Sequence, residues 1–153
     1  MSLLEKIISG GQTGADRTAL EVAEELGIPT GGWVPLGCWT DEGQDPTLVT
    51  RFHCEEHASP EWKPRTQANV ADSDGTVWFG DKSPGYWCTR NAIRGEFWIE
   101  NPDGKQLADW IVAHQIEVLN VAGNRKRKNP AIVGKVQVAL REAISHLRSA
   151  RLL

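Results

Sequence analysis

Three stretches of this chain set glycines and polar residues where a ligand could be held. The first is Ser9-Gly10-Gly11-Gln12-Thr13-Gly14-Ala15-Asp16-Arg17, preceded by the apolar β-branched pair Ile7-Ile8. Gly10 and Gly11 leave no Cβ in the way of a ligand. Thr13 and Asp16 stand three apart, the spacing of a capping box. A strand, a glycine turn and a fresh helix N-terminus make a corner in which free N–H groups and the helix dipole favour an anion. The stretch is no P-loop, because Ala15-Asp16-Arg17 stands where Gly-Lys-Ser/Thr is required, and G-x-G-x-x-G is also absent. A plain tight βα turn would use the same residues, so this stretch alone leaves both readings open.

The second stretch runs from Gly80 to Gly85 and carries Asp81 and Ser83; the third is Gly123-Asn124-Arg125. Arg125 opens the basic run Arg125-Lys126-Arg127-Lys128, and its planar fork suits bidentate contact with a phosphate. Lys126 and Arg127 read as solvated surface. Asp16 and Asp81 are acids at strand-end loops, each able to cap a helix, order a metal-bound phosphate or act as a general base. His53-Cys54-Glu55-Glu56-His57 puts two imidazoles four apart with Cys38 upstream, yet it is not the metalloprotease pattern, and no protein-bound metal site is expected. Trp33, Trp39 and Trp87 fall near strand ends or in a long loop, where they could pack the core or stack on a purine or pterin ring.

The elements that must position these residues follow from periodicity. Ala15, Ala19, Val22, Ala23 and Leu26 mark a helix ended by Gly27, and Ile28 to Val34 is a strand broken at Gly31-Gly32. Residues 35–60 have no clean period and read as a lid or binding loop. Helices are expected over Glu61–Asp72, Tyr86–Arg94, Gly104–His114 and from Pro130 onward. Strands are expected at Thr76–Phe79, Phe97–Ile99 and Val118–Ala122. Five strands alternating with five helices predict one doubly wound α/β domain over residues 1–153, a parallel sheet with helices on both faces. The three glycine stretches then share the carboxyl edge of that sheet, where such folds bind ligands.

The 153 residues are 40% hydrophobic and 24% charged, with a net charge of -3. That balance argues against nucleic-acid binding, and no stretch has the ~20 apolar residues of a membrane span. Three widely spaced cysteines, Cys38, Cys54 and Cys88, read as reduced thiols in a cytoplasmic protein. Oligomeric state stays open, a homo-oligomer included.

Ser9 to Arg17, Gly27-Ile28-Pro29-Thr30-Gly31-Gly32-Trp33, Arg65-Thr66, Asn69-Val70, Asp72-Ser73-Asp74 and Leu119-Asn120-Val121-Ala122-Gly123 together resemble the putative molybdenum carrier family. That family is similar to the Rossmann-like nucleotide-binding proteins of the SLOG superfamily. The resemblance implies a small phosphorylated ligand, the molybdenum cofactor or a nucleotide. It implies a site built from Gly10, Gly11, Gln12, Thr13, Gly14, Asp16, Arg17, Trp33, Arg65, Asn69, Gly80, Ser83, Gly85, Thr89, Gly123 and Arg125. Related phosphoribohydrolases carry a catalytic glutamate in a Pro-Gly-Gly motif. Laid on Pro84-Gly85-Tyr86-Trp87-Cys88-Thr89-Arg90-Asn91-Ala92, that motif loses two glycines and its acid becomes Ala92. A non-catalytic binding protein is therefore the leading expectation, with a nucleotide-processing hydrolase or a nucleotide-sensing module as alternatives.

Overall fold

A computed structural model describes residues 2–153. In chain order its elements are β1 (Lys6–Ile8), α1 (Ala15–Glu25), β2 (Thr30–Gly31), β3 (Trp33–Val34), β4 (Trp39–Thr40), β5 (Gly43–Gln44) and α2 (Thr47–Thr50). Then follow β6 (Glu55–Glu56), α3 (Trp62–Ala71), β7 (Gly75–Phe79), α4 (Pro84–Ala92), β8 (Phe97–Glu100), α5 (Gly104–His114), β9 (Val118–Gly123) and α6 (Ile132–Ser149). Five of the strands form one parallel sheet in the order β2-β1-β9-β7-β8. The expected α/β architecture is present, with its strands and long helices close to where periodicity puts them.

Strand order is the feature that periodicity does not supply. The last strand, β9, lies between β1 and β7 and is hydrogen-bonded to both. Counted from β9, the sheet runs third-second-first-fourth-fifth, the order of the dinucleotide-binding doubly wound fold. The connectivity is thus a cyclic rotation of that fold. Its switch point, where ligands bind in such sheets, lies between β9 and β7.

Alternation along the strands sorts the two faces. Ile7, Val77, Phe79, Leu119 and Val121 enter the main core, joined by Ala19, Val22 and Ala23 of α1 and by Val136, Leu140, Ala143 and Ile144 of α6. The i, i+4 spacing of those α6 residues gives the helix one apolar stripe. The buried Val, Leu, Ile and Phe side chains of this core contribute about 1.5–3 kcal/mol each. Thr76, Trp78 and Asn120 point the other way, towards α3 and α4, which pack on each other. On that face the Asn120 amide donates to Thr76 Oγ1 at 3.2 Å.

Residues 35–60 are folded, not bare loop. β4 and β5 make a hairpin, β6 pairs with β3, and Leu48, Phe52, Cys38 and Cys54 form a second small core with Leu20 and Val34. The segment is strapped to the body by charge: Arg17 pairs with Asp45, Arg125 with Asp41 at 3.1 Å and Lys126 with Glu42 at 3.9 Å. The expected strand Ile28–Val34 divides at Gly32 into β2, in the main sheet, and β3, in this strap. The capping box expected at Thr13 and Asp16 does not form. Gly14 is the N-cap, without a side-chain cap, and Asp16 turns inward.

Candidate functional site

At the carboxyl edge of β1, β9 and β7, on the α3/α4 side, lies a cavity of about 300 Å³. That size falls at the lower end for small-molecule pockets. Its floor is an ion pair between Asp16, in the first turn of α1, and Arg65, on the buried face of α3. Arg65 Nη1 lies 3.5 Å from Asp16 Oδ2, and both side chains are about nine-tenths buried, at 11% and 9% exposure. The pair is long for a charge-assisted bond. Arg65 Nε, moreover, is buried with no hydrogen-bond acceptor. Burial raises the Asp16 pKa above the ordinary carboxylate value, with Arg65 pulling the other way. Burial likewise lowers that of Arg65, against the attraction of Asp16.

The walls come from several elements. Gly10 follows β1, while Asn120, Gly123 and Asn124 come from β9 and the loop after it. Asn124 ties that loop to the one after β7: its amide donates to Asp81 O at 3.0 Å, and its Oδ1 accepts the Asp81 N–H at 2.7 Å. Ser83 caps α4, accepting the Tyr86 N–H at 3.2 Å, so the first turn of α4 faces the cavity at Gly85. The Gly85 N–H, like any at a helix start, has no intrahelical acceptor. Arg125 and Lys128 supply positive charge, and half-exposed Trp62 an aromatic face.

Of the residues expected at the site, Gly10, Gln12, Asp16, Arg65, Asn69, Ser83, Gly85, Thr89, Gly123 and Arg125 meet at this cavity. Gly11, Thr13, Gly14 and Arg17 face a separate polar cleft beneath the β4–β5 hairpin. Gly80 packs against the Asn124 side chain. Trp33 is held away by its indole N–H bond to Asp72 at 2.7 Å and stands edge-on to His57. The N–H groups of the first turn are largely engaged within the protein. Gly11 donates to Ser9 Oγ, Thr13 to Gln12 Oε1 and Ala15 to Asn124 O. Gly14, at φ 109°, is needed for a close backbone approach, since a Cβ there would strike Asn124 O and Lys126 N.

Among the other lining residues, Trp62 and Trp78 fall outside the sequence motifs, while Thr66, Asn120, Asn124 and Lys128 stand within those motifs or the basic run. Asn120 carries the clearest signal, a polar residue in the middle of the apolar run Val118–Ala122. Trp62 stands one helical turn before Arg65 and so shares its face.

Part of the histidine–cysteine segment packs into the strap core. Cys38 and Cys54 are buried in the small core, where loss of solvation pushes the Cys54 thiol up to about 12. His57 Nδ1 accepts the Ser59 N–H at 3.1 Å. No group of three or more His, Cys, Asp or Glu residues suited to a metal ion occurs among the described residues. Nor, among them, is any helix long and apolar enough to cross a membrane.

Residues 7–144 match the model of the circularly permutated YpsA SLOG family. Among solved structures, the chain is similar to the "Putative molybdenum carrier protein" from Syntrophus aciditrophicus SB, at 34% identity and a TM-score of 0.84. The match covers 94% of this chain and 96% of the other. No curated protein matches the sequence.

Proposed function

The chain belongs to the circularly permutated YpsA SLOG family, a permutation that agrees with the placement of β9, and from that membership we propose that it binds and carries a small phosphorylated ligand with a ring, of the molybdenum cofactor or nucleotide kind. The observation that carries this reading is Arg65. A guanidinium nine-tenths buried, with one 3.5 Å contact and an unpartnered Nε, is costly unless something else completes it. A phosphate in the cavity would do so, assisted by the Gly85 N–H and Lys128, and the ring of the ligand would lie towards Trp62. The carrier function named for the structural neighbour is compatible with such a ligand. The three cysteines are free thiols, which fits a reducing, cytoplasmic setting.

The test is calorimetric titration of adenosine 5′-monophosphate and of a phosphorylated pterin into wild-type protein and into Arg65→Gln. Binding of one of them, weakened at least tenfold by the substitution, is the expected result. Affinity unchanged in Arg65→Gln would overturn the assignment.

One observation favours a second reading, a nucleotide-processing hydrolase. Asp16 is a buried acid with a raised pKa at the cavity floor, so it could hold a proton for a leaving group. Product release from a nucleotide panel, abolished by Asp16→Asn, separates turnover from carriage.

A further inference from the structure

The two arginines at the cavity are not equally free. Arg65 leans on Asp16 through one long contact, whereas Arg125 Nη1 is bonded to Asp41 Oδ1 at 3.1 Å. Asp41 belongs to the tip of the β4–β5 hairpin, and its position is fixed from behind, because its backbone N–H donates to Gln12 Oε1 at 2.9 Å. Its carboxylate is 14% exposed, and its second oxygen, Oδ2, is buried with no donor. Lys128, the third cation at the cavity, has no carboxylate partner among the described residues. The hairpin thus delivers a second carboxylate, besides Asp16, to the edge of a site that also holds three cations.

We propose that Asp41 sets the charge of ligand the cavity accepts: by occupying Arg125 it restricts the site to a single phosphate and disfavours diphosphates and triphosphates. The inference rests on the reading of the cavity as a phosphate site. Like charges in a shared, partly buried site repel strongly, and discrimination by an unfavourable element is a common route to specificity. A single phosphate on Arg65, Gly85 and Lys128 need not approach Asp41. A second phosphoryl group extending towards Arg125 meets the carboxylate already there, and must displace it or bear its repulsion. Without the Asp41 charge, Arg125 becomes a second anchor.

Inorganic phosphate and pyrophosphate, titrated calorimetrically at low salt, test this without assuming a ring. Wild-type protein is expected to bind phosphate at least as tightly as pyrophosphate. Asp41→Asn, nearly isosteric and keeping the backbone bond to Gln12, should gain tenfold or more for pyrophosphate and less than threefold for phosphate. The double variant Asp41→Asn/Arg125→Gln should lose that gain. Equal gains, no gain, or a gain that survives in the double variant would overturn the inference while leaving the cavity assignment intact, provided phosphate binding still falls in Arg65→Gln. Absence of phosphate binding to the wild type, or phosphate binding indifferent to Arg65→Gln, would overturn both.

Discussion

The Arg65 guanidinium lies over Gly10, in the space that a Cβ at that position would fill. The glycine after β1 thus makes room for a side chain of the protein itself. Gly10→Ala should push the guanidinium off Asp16, at a cost of about 1–3 kcal/mol typical of overpacking. A melting temperature lowered by several degrees, together with weaker phosphate-ester binding, is the expected outcome. Melting and binding both at wild-type values would show that Arg65 can move aside freely.

Gly11 works differently, and a valine there tests stability more than affinity. Its φ is 76°, and a Cβ would press on Leu48 and Val34 of the strap core. Left-handed backbone costs a side-chain-bearing residue roughly 1–2 kcal/mol, and the added bulk comes on top. Urea denaturation should place Gly11→Val well below the wild type in stability. Full stability with binding abolished would instead restore the expectation that Gly11 faces a ligand.

Asp16 should make anion binding depend on pH. Its folded pKa is raised above the ordinary value, so the protonated form is favoured in the fold. The stabilisation linked to that proton is complete below the unfolded pKa and is lost as pH rises through the folded one. Protonation also removes the negative charge beside Arg65. Sulfate, whose own charge is constant over this range, should therefore bind more tightly as pH falls below neutrality. Asp16→Asn should flatten the profile; an unchanged slope in that variant would assign the dependence to another group.

The basic run divides by position. Arg125, expected from sequence to be the main phosphate clamp, already holds Asp41, whereas Arg65 is the buried arginine with unpaired capacity. Arg65→Gln should thus cost phosphate-ester binding more than Arg125→Ala does, the former by roughly the tenfold or more expected of a lost charge-assisted bond. Lys126 pairs only loosely with exposed Glu42, and Arg127 is exposed, so alanine at either should change affinity little. A larger loss in Arg127→Ala than in Arg65→Gln would contradict this ranking.

The sequence exposes the strands and long helices well, because each carries a local signal: the Ile7-Ile8 pair, the all-buried run of β7, the i, i+4 stripe of α6. Gly10, Asp16 and Arg125 are legible as candidate site residues because they stand in or beside glycine turns, and Arg65 through the motif it shares with the family. Strand order is invisible locally, since the pairing of β9 with both β1 and β7 joins residues more than a hundred positions apart and others about forty apart. The same holds for Asp41. Nothing around Thr40-Asp41-Glu42 marks it as the partner of an arginine 84 residues away. The strap itself eludes periodicity because its strands are two residues long and its core rests on a few scattered side chains such as Leu48 and Phe52.

The place of β9 also bears on how the protein is made. During synthesis, β1, β2, β7 and β8 leave the ribosome before the strand that joins them exists. In the finished sheet Val118–Gly123 alone joins the pair β2-β1 to the pair β7-β8, so either pair, if formed before it emerges, would have an unpartnered inner edge. Such edges are templates for unwanted pairing, and chaperones act on this kind of exposure. The last strand therefore does more than finish the sheet: it brings Asn120, Gly123 and Arg125 to the cavity whose floor is Asp16 and Arg65.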